Sequence, residues 1–324
     1  MKYFVLFGVL TFLITACFKE TLEIPDTGRR IVIDGLLTSD SLFNVRISKS
    51  AFITDISPSA FESMQYVNNA KIFVYQNKLL IDSLYNKILW HYSDEVYKIS
   101  NYFSNSLIPI PGNEYEIIVK VPELPDAKAT TKIPEIVRIE SIDTTHIPLQ
   151  NSSFLIPISI ICNIGFTDPE NEKNYYFFNI YATYSPYGII HNAVFECKDP
   201  IVEEKLIYRY PLEGIAFTDK IINGKRYKLP IVINPNFIGY ATIPDPNDPN
   251  KFLVHPDYKL TIYLRLYSIT EEYFRYIQTL NFYNANYDNT FSDPVLVPSN
   301  VTGGFGFLSG AAVASDSIVF RYSQ

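Results

Sequence analysis

Apolar and polar positions alternate in short runs over most of this chain, which is the two-residue period of half-buried strands. Residues 30–37 alternate in part and then turn through Thr38-Ser39-Asp40. Phe43, Val45 and Ile47 alternate strictly with polar neighbours. Residues 70–75 and 78–84 predict a hairpin around Gln76-Asn77, and residues 89–92 a further strand. Pro111-Gly112-Asn113 reads as a turn, followed by strands over 115–121 and 129–133. Short strands at this spacing predict a β-sandwich of immunoglobulin-like size over residues 29–134. Pro122, Pro125 and Pro134 cluster between strands, and the boundary is placed near Pro134.

The second region, residues 135–324, reads as β-rich, with strands over 136–142, 154–166, 175–184 and 258–266. Weaker strands fall within 200–226. The stretch Pro244-Asp245-Pro246-Asn247-Asp248-Pro249-Asn250 reads as an exposed loop, because its prolines cannot serve a central strand. One amphipathic helix stands out over residues 268–284. Ser268-Ile269-Thr270-Glu271 fits a capping box, and Ile269, Tyr273, Tyr276, Ile277 and Leu280 recur at helical spacing. Residues 294–298 read as extended, 301–308 as glycine-rich, and 318–322 as a closing strand. No repeat of fixed period is present.

The first sixteen residues break this pattern. Lys2 precedes an apolar run over 3–14, too short to span a bilayer, which needs about 20 residues. The run ends in Leu13-Ile14-Thr15-Ala16-Cys17, which resembles a bacterial lipobox. Residues 1–16 are therefore expected to be a lipoprotein signal peptide, cut before Cys17. The Cys17 thiol is expected to carry diacylglycerol, and acyl chains anchor at about 0.8 kcal/mol per buried CH₂. Residues 17–28 read as a lipidated tether. Phe18, Lys19 and Glu20 follow the cysteine. Without an Asp this does not resemble an inner-membrane retention signal, and Lys19-Glu20 resembles a lipoprotein surface-export signal, so the outer membrane and its cell-surface face are expected over the periplasmic face.

Composition agrees with a folded β protein. The chain is 47% hydrophobic and 19% charged, with 25 tyrosines and 23 phenylalanines, and aromatic enrichment favours strands. The formal net charge is −7 and no basic tract occurs, which argues against nucleic acid.

Four segments, read in order, resemble the Bacteroidota outer-membrane lipoproteins of domain-of-unknown-function family 4249. They are Ile31-Val32-Ile33-Asp34-Gly35-Leu36-Leu37-Thr38, then Pro111-Gly112-Asn113-Glu114-Tyr115, then Phe166-Thr167-Asp168-Pro169 with Asn174-Tyr175-Tyr176. The fourth is the helix from Ser268 together with Asn300-Val301-Thr302-Gly303-Gly304-Phe305-Gly306. The resemblance implies a place beside TonB-dependent outer-membrane receptors. It supplies no catalytic residues, because the family has no established activity.

The residues themselves offer few chemical candidates. His91, His146, His191 and His255 are not at metal spacing from one another, and no nucleophile elbow occurs. Cys162 and Cys197 would meet an oxidising compartment, either as a disulfide or as two separate buried thiols. Asp168, Glu170 and Glu172 form one acidic cluster, and Asp245 and Asp248 with Asn247 and Asn250 form another. Each could supply oxygen ligands to Ca²⁺ or simply be a solvated turn. Trp90 is the single tryptophan and a candidate ligand platform. Ser41, Ser83, Thr144 and Ser317 sit in Asp-Ser/Thr segments that resemble Bacteroidota O-glycosylation sites. The expected function is a non-enzymatic accessory or ligand-binding partner of a TonB-dependent transporter, with no cofactor. A surface adhesin or assembly subunit, and a hydrolase with dispersed catalytic residues, are the alternatives.

Overall fold

The computed structural model describes residues 28–51, 66–92, 96–150, 155–185, 188–192, 195–206, 214–237, 242–286 and 297–321. The expected signal peptide and Cys17 lie outside the described residues. Within them the chain is mainly β, with twenty strands and one α-helix.

The first region holds β1 (Ile31–Thr38), β2 (Asn44–Lys49), β3 (Lys71–Gln76), β4 (Leu79–Tyr92), β5 (Val96–Phe103), β6 (Glu114–Lys120) and β7 (Ala127–Lys132). They pair in the order β1-β2-β5-β4-β3-β6-β7. β4 serves both layers: its start pairs with β3, and Tyr85 onwards pairs with β5. The sheet therefore rolls over along β4 and encloses a core that includes Ile31, Ile33, Phe43, Val45, Ile47, Val74, Tyr115 and Ile117. Residues 78–84 and 89–92 are one continuous strand rather than two. β5 escaped the sequence reading. Among its described side chains Tyr102 is fully buried, and its polar hydroxyl donates to the Val67 carbonyl at 2.9 Å and accepts from the Ala70 amide.

The second region is a true two-sheet sandwich. One sheet contains β13 (Glu204–Leu206), β14 (Gly214–Thr218), β10 (Tyr175–Ser185) and β18 (Lys259–Ile269), with β11 (Ile189–Asn192) alongside β10. The other contains β12 (Phe195–Glu196), β15 (Arg226–Ile233), β9 (Ile158–Thr167) and β8 (Ser141–Pro148), in that order. Between them lie Ile160, Cys162, Ile164 and Phe166 of β9, Tyr176, Phe178 and Ile180 of β10, and Leu260, Ile262, Leu264 and Leu266 of β18.

The last segment does not stay with the second region. β19 (Val301–Thr302) pairs with β7, and β20 (Phe305–Arg321) runs parallel to β1 from Phe305 to Ala311. β20 then crosses over and pairs antiparallel with β18 from Ala311 to Arg321. Residues 301–311 thus close the rolled sheet of the first region, and Leu308 and Ala312 join its core. A parallel partner so distant in sequence has no hairpin turn to announce it.

Three local expectations change. Residues 136–140 are not a strand; this stretch crosses between regions, and the Val137 amide donates to Ser268 Oγ at 3.3 Å. Residues 244–250 form a ribbon, not a loop, from β16 (Thr242–Asp245) and β17 (Asp248–Val254). Prolines are tolerated there because a two-stranded ribbon consists only of edges. The helix α1 spans Glu271–Ala285 with Thr270 as N-cap, and no side chain caps it. Ser268 still belongs to β18, so the capping box does not form. α1 lays Tyr273, Phe274 and Ile277 on the outer face of the large sheet, against Phe177, Tyr267, Phe307 and Val313.

Candidate functional site

The most distinctive surface feature is an apolar crest on the first region. The β3–β4 turn places Asn77 and Lys78 at φ of 51° and 65°, the two left-handed residues a tight hairpin turn requires. Leu79, Leu80 and Ile81 follow directly and are 70%, 57% and 41% exposed. Three apolar residues in a row cannot all face one side of a strand, so part of the run must meet solvent.

The facing wall is residues 106–111. Ser104 is fully buried, and its hydroxyl accepts from the Ser106 and Leu107 amides at 3.1 and 2.7 Å while donating to Asp82. The Leu107 carbonyl accepts from the Phe43 amide at 2.8 Å, and the Ile110 amide donates to Tyr115 Oη at 3.0 Å. The wall is held firmly, yet Ile108 and Ile110 point outward, 47% and 56% exposed. Ser39, Ile81, Ile108, Pro109 and Ile110 line a shallow groove of about 600 Å³. The groove brings Ile81 together with Ile108 and Ile110, and an exposed apolar patch on held supports is a candidate contact surface. Its sequence signal was the unbroken run Leu79-Leu80-Ile81, which departs from strand alternation.

The predicted site residues are dispersed. Asp168 is 1% exposed and accepts from the Tyr176 hydroxyl and, at 3.0 Å, from the Gly224 amide. Burial raises its carboxyl above the usual range, against the pull of those hydrogen bonds. Asp168 therefore ties two turns together, while Glu170 and Glu172 face solvent. Asp245 and Asp248 accept from the Asn247 and Asn250 amides at 2.8 and 3.1 Å, as turn-formers do. No cluster of three or more metal-ligating side chains forms among the described residues. Trp90 lies opposite Lys98 in the β4–β5 ladder, and its side chain lies outside the described residues. Ser83, Thr144 and Ser317 are exposed on β4, β8 and β20, and the Ser41 hydroxyl lies 2.7 Å from that of Thr38.

Cys162 and Cys197 are not joined. Both are free and buried. Register explains this: Cys162 pairs with Ile231 of β15, and the β12 register carries Cys197 to the opposite flank of the same strand. Two ladder spacings, roughly 9.5 Å, separate them, beyond the reach of a disulfide. Burial pushes the Cys162 thiol up to about 12. The Cys197 thiol, also raised by burial, donates to the Pro230 carbonyl at 3.2 Å.

The family model of a domain of unknown function (DUF4249) matches the chain over residues 19–317. No curated protein matches the chain. No helix among the described residues is long and apolar enough to cross a membrane.

Proposed function

The chain belongs to the DUF4249 family, and from that premise we propose that it is an outer-membrane lipoprotein serving a TonB-dependent transporter as a non-enzymatic partner. The apolar crest is the observation that carries this reading. Leu37 pairs with Gly310, where a Cβ would lie 2.7 Å from the Lys132 carbonyl oxygen, and Lys132 pairs with Glu114 near the β3–β4 turn. The crest thus lies at the Leu37 end of the first region, and the chain enters at the Ile31 end. Lipid on Cys17 would hold the Ile31 end toward the bilayer and leave the crest facing a partner. The lipobox, the short tether and the family likeness support the same placement.

The test is affinity capture of the full acylated chain from outer membranes solubilised in mild detergent. A TonB-dependent receptor should co-purify with the wild type. Recovery of the monomer alone overturns the proposal.

A surface adhesin or assembly subunit is the second reading, and β8 favours it. Among the described residues this eight-residue strand pairs only with β9, and it is exposed along most of its length, an open edge for strand addition. Concentration-dependent assembly of the purified chain would select that reading instead.

A further inference from the structure

No described element packs on the outer face of β10, β18 and β20 beyond the end covered by α1, and the chemistry of this face differs from the rest of the molecule. Lys259 and Arg321 stand directly opposite one another on β18 and β20. Their neighbours Leu260 and Phe320 face the core, so both cations stand on the outer face. Neither makes an ion pair among the described residues. Like charges placed directly opposite in an antiparallel pair are unfavourable. A chain of net charge −7 has no general surplus of cations to spread there.

The next rows up the face are hydroxyl-bearing. Thr183, Thr261 and Val319 form one row, and Tyr181, Tyr263 and Ser317 the next. The Tyr181 and Tyr263 rings stack at 4.6 Å and 11°, so each covers one face of the other. Arg265 bounds the patch and is already occupied by Asp40. A nucleic-acid strand needs a positively charged groove that tracks its backbone, and two cations on a chain of net charge −7 do not make one. A lipid surface needs several protruding apolar groups, and among the described side chains of these rows Val319 alone is large, apolar and strongly exposed. Rows of hydroxyls beside an unneutralised pair of cations suit a polyhydroxylated anion.

We propose that this face binds an acidic oligosaccharide, with Lys259 and Arg321 taking a sugar carboxylate and Thr261, Tyr263 and Ser317 taking ring hydroxyls. The inference does not rest on the transporter reading. The full chain, in detergent micelles, is titrated by calorimetry against a panel of carboxylated oligosaccharides, their neutral counterparts and a glutamate peptide of equal charge. Carboxylated members should bind, and the neutral counterparts and the peptide should bind at least about tenfold more weakly. The Lys259→Ala/Arg321→Ala variant should lose about tenfold or more in affinity while melting as the wild type does. Thr261→Val, which leaves both charges in place, should also weaken binding. Absence of binding across the carboxylated panel overturns the proposal, as does equal affinity for the peptide or for the double variant.

Discussion

Asp40, in the turn that closes the first strand, is ion-paired with Arg265 of β18, 225 residues further along the chain. The same turn docks through its backbone: the Ser39 amide donates to the Ala311 carbonyl at 3.0 Å, and the Val313 amide donates to Ser39 Oγ at 2.9 Å. The Arg265 guanidinium also lies over Tyr267 at 4.9 Å and Tyr181 at 5.8 Å. This cluster joins the two sandwiches where β20 changes partner. Asp40→Asn should cost about 1 kcal/mol, since the pair is only partly shielded. Arg265→Ala should cost about 2 kcal/mol, because it also removes packing against two rings. Urea unfolding measures both. A double variant no worse than Arg265→Ala alone shows that the charges act as a unit, and high salt should shrink the Asp40 effect.

Gly306 sits at φ 91°, and a Cβ there would lie 1.9 Å from the Ile33 carbonyl oxygen. That contact is with backbone in the parallel β1–β20 ladder, so no side chain can swing aside. Gly306→Ala should therefore cost about 3 kcal/mol or more, by strain and by loss of ladder bonds. The expected result is a large drop in the urea midpoint, with loss of protection from hydrogen exchange in β1 before β18. A near-neutral variant would show that residues 305–311 do not close the first sheet.

Two carboxyl groups give opposite pH dependences. Burial raises Asp168, so the folded state holds its proton more tightly than the unfolded chain. Its contribution is full below the unfolded value, about 4, and is lost as pH rises through the folded value. For Glu271 burial also pushes upward, but the neighbouring Tyr175 and the pairing with Arg275 hold the carboxyl below its ordinary range. That contribution is present above the unfolded value and lost as pH falls through the folded one. Asp168→Asn should therefore look better relative to wild type as pH rises from about 4, and Glu271→Gln worse. Melting temperatures across that range check both signs.

The parts of the fold that sequence revealed are those set by local pattern. Val45 and Ile47 alternate because β2 has one wet face, and α1 shows its stripe because one side packs on Phe307 and Phe177. Hidden features depend on distant partners. Nothing near Ser268 shows that its hydroxyl is taken by Val137, which leaves Thr270 to begin the helix. Nothing near Phe305 shows that its partner is Val32. The crest was half visible, since Leu79-Leu80-Ile81 could be read as apolar, but its facing wall depends on Ser104, a residue with no apolar signature. The Lys259–Arg321 pair appears only once β18 and β20 are in register.

Cys162 and Cys197 flank one strand instead of facing each other, and both are buried. A thiol pushed up to about 12 carries almost no thiolate at neutral pH, and thiolate is the reactive form. Neither residue should label with a maleimide in the folded protein. Both should label fully in denaturant without reductant. A mass spectrum showing a Cys162–Cys197 crosslink after oxidative export would mean that the β12–β15–β9 register is wrong.

The crest separates binding from stability, and that makes it testable on its own. Ile31, Phe43 and Tyr115 hold the first region together from within, whereas Leu80 and Ile110 leave more than half their surface in water. Truncating or polarising an exposed side chain away from the core usually changes stability by within about 0.5 kcal/mol. Leu80→Ser/Ile110→Ser should therefore melt within a few degrees of wild type and should express at least as well, because an exposed apolar patch is removed. If the crest is the contact surface, the same variant should lose a partner by far more, since buried apolar anchors at an interface cost about 2 kcal/mol or more each when removed. Capture from solubilised membranes should then fall by about tenfold or more at matched protein levels. Unchanged capture by a stable double variant would move the contact surface elsewhere on the molecule, with the open edge of β8 the next place to probe.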